Sequence, residues 1–266
     1  MSEHAEATDE MSPPISDPNA RPACFSSTFQ EVLFVLSVTM AVAMSSFLTG
    51  SVTVMSSFVG RDLGMTTAEI TWMNSASSYV LSTDFHTDTD ADNRERLSSG
   101  SLLLFFGSIA DLFGRKSMFI VSMFLFSVFC LGAGFSKTGL SVDILCGVLG
   151  IFSASAVPPA QGMLGAIYVK PSKRKNRVFG CFSAGNPLGF VFGTIFSGLA
   201  TQIFNWRASF WLLALVYLII SGVAAFTVPR DTTDKVKLTR ETVKKLDLPG
   251  TAMTILGIGM FCAALR

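Results

Sequence analysis

Charge is what this sequence has least of. Asp, Glu, Lys and Arg make up 15% of its 266 residues, while half are apolar and 24 are Phe. Soluble domains carry about 25% charge, so a water-facing globular fold is excluded. Histidine is nearly missing. His4 falls in the polar N-terminal tail and His86 in a polar break further on, and no Ser/His/Asp arrangement or metal-ligand cluster appears. No enzyme, no cofactor and no resident metal is therefore expected. The five cysteines lack the spacing of a disulfide framework: Cys130, Cys146, Cys181 and Cys262 lie inside apolar runs and Cys24 precedes the first. No cleavable signal peptide is expected, because the first 28 residues are polar and the first apolar run is long enough to span. The net charge of +1 says nothing about nucleic acid, because the charges are confined to tails and loops; no nucleic-acid partner is expected of a polytopic membrane protein.

Long apolar runs are what the chain has in excess. A membrane helix needs about 20 mostly apolar residues, and runs at 29–54, 117–135, 142–168, 178–200 and 208–228 qualify. The predicted fold class is an all-α polytopic membrane protein, partnered by the lipid bilayer. Residues 1–28, rich in Ser and Pro and bearing Glu3, Glu6, Asp9, Glu10 and Asp17, are expected as a disordered tail. Gly60-Arg61-Asp62-Leu63-Gly64 is expected as an outer loop, and Thr66-Thr67-Ala68-Glu69 as a capping box opening the next helix. Pro158-Pro159 should bend the fourth span. Arg115 and Lys116, then Lys170, Lys173, Arg174, Lys175 and Arg177, then six basic residues between Arg230 and Lys245 lie on one side. The other side holds Arg61, Lys137 and Arg207. The positive-inside rule makes the N-terminus cytoplasmic. The domain reading is a tail at 1–28, a six-span bundle at 29–228, a cytoplasmic basic linker at 229–249 and a truncated seventh span at 250–266.

Span 2 is interrupted. An apolar start at 70–78 is followed by 79–96, with Asp84, Asp88, Asp90, Asp92, Arg94, Glu95 and Arg96, before apolar sequence resumes at Leu97. Neither fragment alone can cross the hydrocarbon core. Deleting 79–96 joins 70–78 to 97–100 in one span, so those eighteen residues are expected as a foreign insertion, most simply an unspliced intron. The alternating carboxylates at Asp88, Asp90 and Asp92 imitate a calcium loop, but its twelfth position is Ser99 where a bidentate Glu is required. The alternation of basic loops also requires that span 2 cross once.

Three local patterns carry a resemblance. Residues 107–116 read G-S-I-A-D-L-F-G-R-K between two apolar runs, a tight polar turn. Gly107 and Gly114 would tolerate close approach or positive φ there. Arg115 and Lys116 would stay on the cytoplasmic side, and Asp111 stands where a carboxylate can face a guanidinium or a helix N-terminus. In span 5, Gly185-Asn186-Pro187-Leu188-Gly189 with Gly193 sets glycines four apart on one face, so another helix can approach closely. Before span 6 comes Asn205-Trp206-Arg207-Ala208-Ser209-Phe210-Trp211, whose indoles suit a membrane interface.

The first pattern resembles the loop between spans 2 and 3 of major facilitator superfamily transporters. The second is similar to the span-5 antiporter motif of drug exporters, with Asn186 as a departure. The third, together with Leu246-Asp247-Leu248-Pro249-Gly250, looks like the fourteen-span drug:proton antiporter branch and its fungal aminotriazole-resistance-like group. The resemblance covers 29–266, the insertion excepted, and so the N-terminal portion of such a protein. It implies export of a small molecule or ion, as in drug efflux, by alternating access in a fungal-type cell. The plasma membrane is its expected place, with the vacuolar membrane as the alternative. Gly107, Asp111, Gly114, Arg115 and Lys116 would then form the cytoplasmic gate, and Gly185 to Gly193 the rocking interface. Thr49 stands where such exporters carry an acidic residue, and Cys146 where they carry a basic one. Spans 1, 3, 5 and 6 show no interior Asp or Glu, so proton coupling has no evident carrier in this half. Asn74, Gln161, Asn186 and Cys146 are candidates to line a solute path or to bond between helices. As written, a chain ending early in span 7 is expected not to transport. The alternative is a non-transporting fragment that partners a full-length homologue.

Overall fold

The computed structural model describes residues 21–22, 24–78, 106–107, 109–110 and 114–229, apart from the side chains of 75–78. The proposed insertion at 79–96, the tail up to residue 20, Asp111, the basic linker from residue 230 onward and the seventh span lie outside the described residues. The chain is all-α and polytopic. Among the described residues the helices with defined bounds are α1 (Thr28–Leu63), α2 (Thr67–Ser78), α3 (Arg115–Gly134), α4 (Gly139–Ile167), α5 (Lys173–Ile203) and α6 (Trp206–Thr227). Five of them, all but α2, are long and apolar enough to cross a membrane.

Short polar side chains set the helix starts. Ser27, Thr138, Ser172 and Asn205 each accept a bond from the backbone N–H three residues on, which satisfies one orphan donor of the first turn. At α2 the expected capping box forms: Thr66 Oγ1 accepts from Glu69 N, and the Glu69 carboxylate accepts from Thr66 N at 2.6 Å.

The structure corrects two boundaries. The stretch expected as an outer loop, Gly60 to Leu63, is the last turn of α1, closed by Gly64 in the left-handed region at φ +64°. Leu63 packs on the core there, and Arg61 complements the negative end of the helix dipole. Likewise Lys173, Arg174, Lys175 and Arg177 belong to the first turns of α5 rather than to a loop. Through the pair Pro158-Pro159 the backbone stays helical, and α4 runs unbroken to Ile167.

α1 stands at the centre, packed against α2, α4, α5 and α6, while α3 packs on α4 and α6. Large buried side chains fill the spaces between. Tyr217 of α6 meets Phe126 of α3 and Phe47 of α1 edge-on at 5.1 and 6.5 Å, and its hydroxyl donates to Met40 O at 3.3 Å.

Candidate functional site

The candidate residues fall at three levels along the bundle. The first level is the end that carries the N-terminus of α1. Gly114 caps α3 with φ +94°, a conformation that suits glycine. Gly107 is helical and lies over α4, where a Cβ in its place would sit 3.8 Å from the Pro158 side chain. Arg115 reaches across to α4 and donates to Gly162 O at 2.9 Å, a reach that any side chain at Gly162 would obstruct. Lys116 donates to Val228 O at 2.6 Å, just past the end of α6. The two cations thus tie α3 to the ends of α4 and α6 by charge-assisted bonds. Asp111, the carboxylate of the motif, lies outside the described residues.

The middle level is the seam between α1 and α5. A Cβ on Gly185, Gly189 or Gly193 would stand 2.6, 2.6 and 2.5 Å from the carbonyl oxygens of Thr39, Ala43 and Phe47. The glycine series therefore admits α1, a helix of the same bundle, to backbone contact. Gly50 reciprocates, with its Cβ direction blocked by Phe190 O at 2.6 Å. Hydroxyls stitch the same seam: Ser51 donates to Gly193 O, Ser197 donates to Ser51 O, and Ser46 donates to the Asn186 side chain. Asn186 thus bonds between helices. Pro187, which has no N–H to offer the carbonyl four residues back, sits among these contacts.

At the opposite end, Trp206 and Arg207 converge on Asp62, the residue misread as part of a loop. Trp206 Nε1 donates at 2.8 Å and Arg207 at 3.1 Å to the same carboxylate oxygen. The guanidinium lies 4.2 Å from the Trp206 ring and also donates to Ser136 O. One carboxylate so joins the end of α1 to the start of α6 and the α3–α4 turn.

The remaining candidates are dispersed. Cys146 is fully buried in the core, Gln161 is exposed, and the Asn74 amide donates to Ile70 O of its own helix at 3.0 Å. The structure does not bring these three together.

Sequence reasoning missed Glu31. In the first turn of α1 its side chain is buried, and one carboxylate oxygen accepts from Tyr168 Oη at 2.6 Å and pairs with Arg174 Nε at 3.2 Å. The second oxygen is buried with no hydrogen-bond partner among the described residues. Burial first, then the bond to Glu31, holds the Tyr168 phenol well above its usual range. The cluster joins α1, the end of α4 and the start of α5. The one signal available was an acidic residue at the edge of an otherwise apolar run.

With this geometry in hand, comparison with known proteins is informative. The sequence profile of the Major Facilitator Superfamily matches residues 35–265, a range that includes most of α1 and all the later helices. An uncharacterized MFS-type transporter of Schizosaccharomyces pombe is 28% identical over 236 residues, covering 87% of this chain and 41% of that protein. The efflux pump terJ of Aspergillus terreus is 28% identical over 240 residues, covering 89% and 43%. A low affinity ammonium transporter of Saccharomyces cerevisiae is 27% identical over 207 residues, covering 76% and 36%. The chain spans about two fifths of the length of these relatives.

Proposed function

The chain belongs to the Major Facilitator Superfamily, and from that premise we propose that the whole protein is a secondary transporter exporting small molecules or ions by alternating access. The observation that carries this reading is the profile match from residue 35 to residue 265. The efflux pump among its relatives supports the direction of transport. In this reading, residues 29–228 form the six-span N-terminal bundle, with 79–96 as an insertion in span 2. Residues 229–249 form a cytoplasmic linker, and a seventh span begins at 250. The N-terminus is cytoplasmic and the membrane is the plasma membrane.

The residues take roles that follow from their contacts. Arg115 and Lys116, together with Asp111, form the cytoplasmic gate. Both cations already grip carbonyl groups at the ends of neighbouring helices, so a shift of α3 must break charge-assisted bonds. The α1–α5 seam makes those two helices a rigid pair, because backbone contact leaves no room for sliding. In the proposed rocking motion this pair moves as one body. Coupling to protons remains part of the proposal, as does the solute, since membership of a superfamily fixes neither.

The test is drug and dye accumulation in efflux-deficient host cells that express the full-length gene product. Accumulation should fall for at least one compound, and Arg115→Gln should restore it while the protein still reaches the membrane. Unchanged accumulation with either protein would count against export.

A further inference from the structure

The row of α5 that faces α1 changes character along its length. Four residues at a time toward the N-terminus, Gly193, Gly189 and Gly185 are followed by Cys181 and Arg177. At the three glycines the backbones touch, and the blocked Cβ directions meet carbonyl oxygens of α1. A longer side chain cannot enter such a contact, so beyond Gly185 the helices part. The wedge between them is a cleft of about 500 Å³, lined by Cys181 and Arg177 from α5 and by Val35 and Glu31 from α1. At its mouth Arg174 Nε meets Glu31 Oε1 at 3.2 Å, and Tyr168 Oη, just past α4, donates to the same oxygen at 2.6 Å.

Two features set this bridge apart from a permanent staple. It spans a cleft, so the helix ends can separate there while the backbone contacts of the glycine seam stay intact. Closed, it also leaves Glu31 Oε2 buried with no hydrogen-bond partner among the described residues. Water entering a wider cleft would remove that cost, so the attraction of the pair is set against an unsatisfied acceptor. α5 has a point of compliance at the right place: Pro187, two residues past Gly185, has no N–H for the carbonyl of Ser183. We propose that the Glu31–Arg174 bridge, steadied by Tyr168, is a latch. Closed, it holds the N-terminal ends of α1 and α5 at the observed width. Open, it lets the first turns of α5 swing away from α1 about Gly185. The latch thus decides whether the rigid α1–α5 pair extends to the helix ends or stops at the seam.

The test measures the separation of the two helix ends in the full-length protein in detergent micelles, by pulsed dipolar electron paramagnetic resonance. Nitroxide labels go on Phe29→Cys and Asn176→Cys, both exposed positions, one on each helix. Cys24→Ser, Cys181→Ser and Cys262→Ser clear the background, while Cys130 and Cys146 are buried and stay. This background should give one main distance. Glu31→Gln and Arg174→Gln should each lengthen and broaden it, and the double variant should go no further than the single ones, as two halves of one contact require. Tyr168→Phe removes one of the two bonds and should shift the distance less, in the same direction. As the mildest change, it keeps the test open should a charge variant fail to fold. Asp62→Asn cuts the ion pair at the opposite end and should leave the distance unchanged. An unchanged distance in the latch variants would overturn the proposal. So would equal lengthening in Asp62→Asn, which marks a general loosening of the bundle. None of these readouts depends on transport, so failure of the latch and failure of the transport reading are separate results.

Discussion

At Glu31 a carboxylate only 5% exposed meets a guanidinium and a phenol from two other helices. Removing Arg174 alone strands a buried charge, which costs at most about 3–5 kcal/mol and less here because Arg174 is itself 28% exposed. Arg174→Met should therefore lower the melting temperature of the purified protein more than the double variant Glu31→Gln/Arg174→Met does. The reverse order would show that the pair is not a unit. Tyr168 adds a pH dependence whose sign is fixed by its raised pKa. The folded protein keeps the phenol proton where the unfolded chain loses it, near pH 10. The bond to Glu31 thus stabilises fully below pH about 10, and its contribution is lost as pH rises above that. On raising pH past 10, wild type should lose stability faster than Tyr168→Phe, as followed by thermal melts at each pH. None of this was legible in sequence. An acidic residue in a first turn reads as a partner of the helix dipole, and the hydroxyl that holds it lies 137 residues further on.

Between elements, the α1–α5 seam fixes more of the fold than any single side chain does. Gly189→Ala places a methyl 2.6 Å from Ala43 O, against backbone that cannot turn aside. The helices must separate, at about 1–3 kcal/mol. Gly180 lies in the same helix with nothing within 4 Å of its Cβ position, so Gly180→Ala should be neutral or stabilising by about 1 kcal/mol. Melting temperatures of the two variants in one detergent check the contrast, and equal destabilisation would mean that helix propensity, not close approach, sets the cost. The four-residue glycine spacing was visible in sequence because it is local. The partner was not, since a glycine face announces that something approaches without saying which helix. Boundaries failed for a similar reason: Gly60 to Leu63 carries the residue types of a loop, but Asp62 and Leu63 are held in the helix by contacts with α6 and the core.

For the whole molecule, the polytopic all-α fold was legible because apolar runs of membrane length are a property of composition and spacing. The superfamily was legible because its marks are short and continuous, above all the turn at 107–116 and the glycines of α5. What holds those marks in place was not, since Arg115 binds a carbonyl of α4 and Lys116 one beyond α6. The proposed transport follows from bundle and family together. The most direct measurement of it is solute flux in inverted membrane vesicles containing the full-length protein. The account predicts uptake into such vesicles of at least one drug or small ion, driven by an imposed gradient and reduced at least about tenfold in Arg115→Gln. Vesicles that contain the protein in the membrane but move none of a broad solute panel faster than protein-free controls would contradict it.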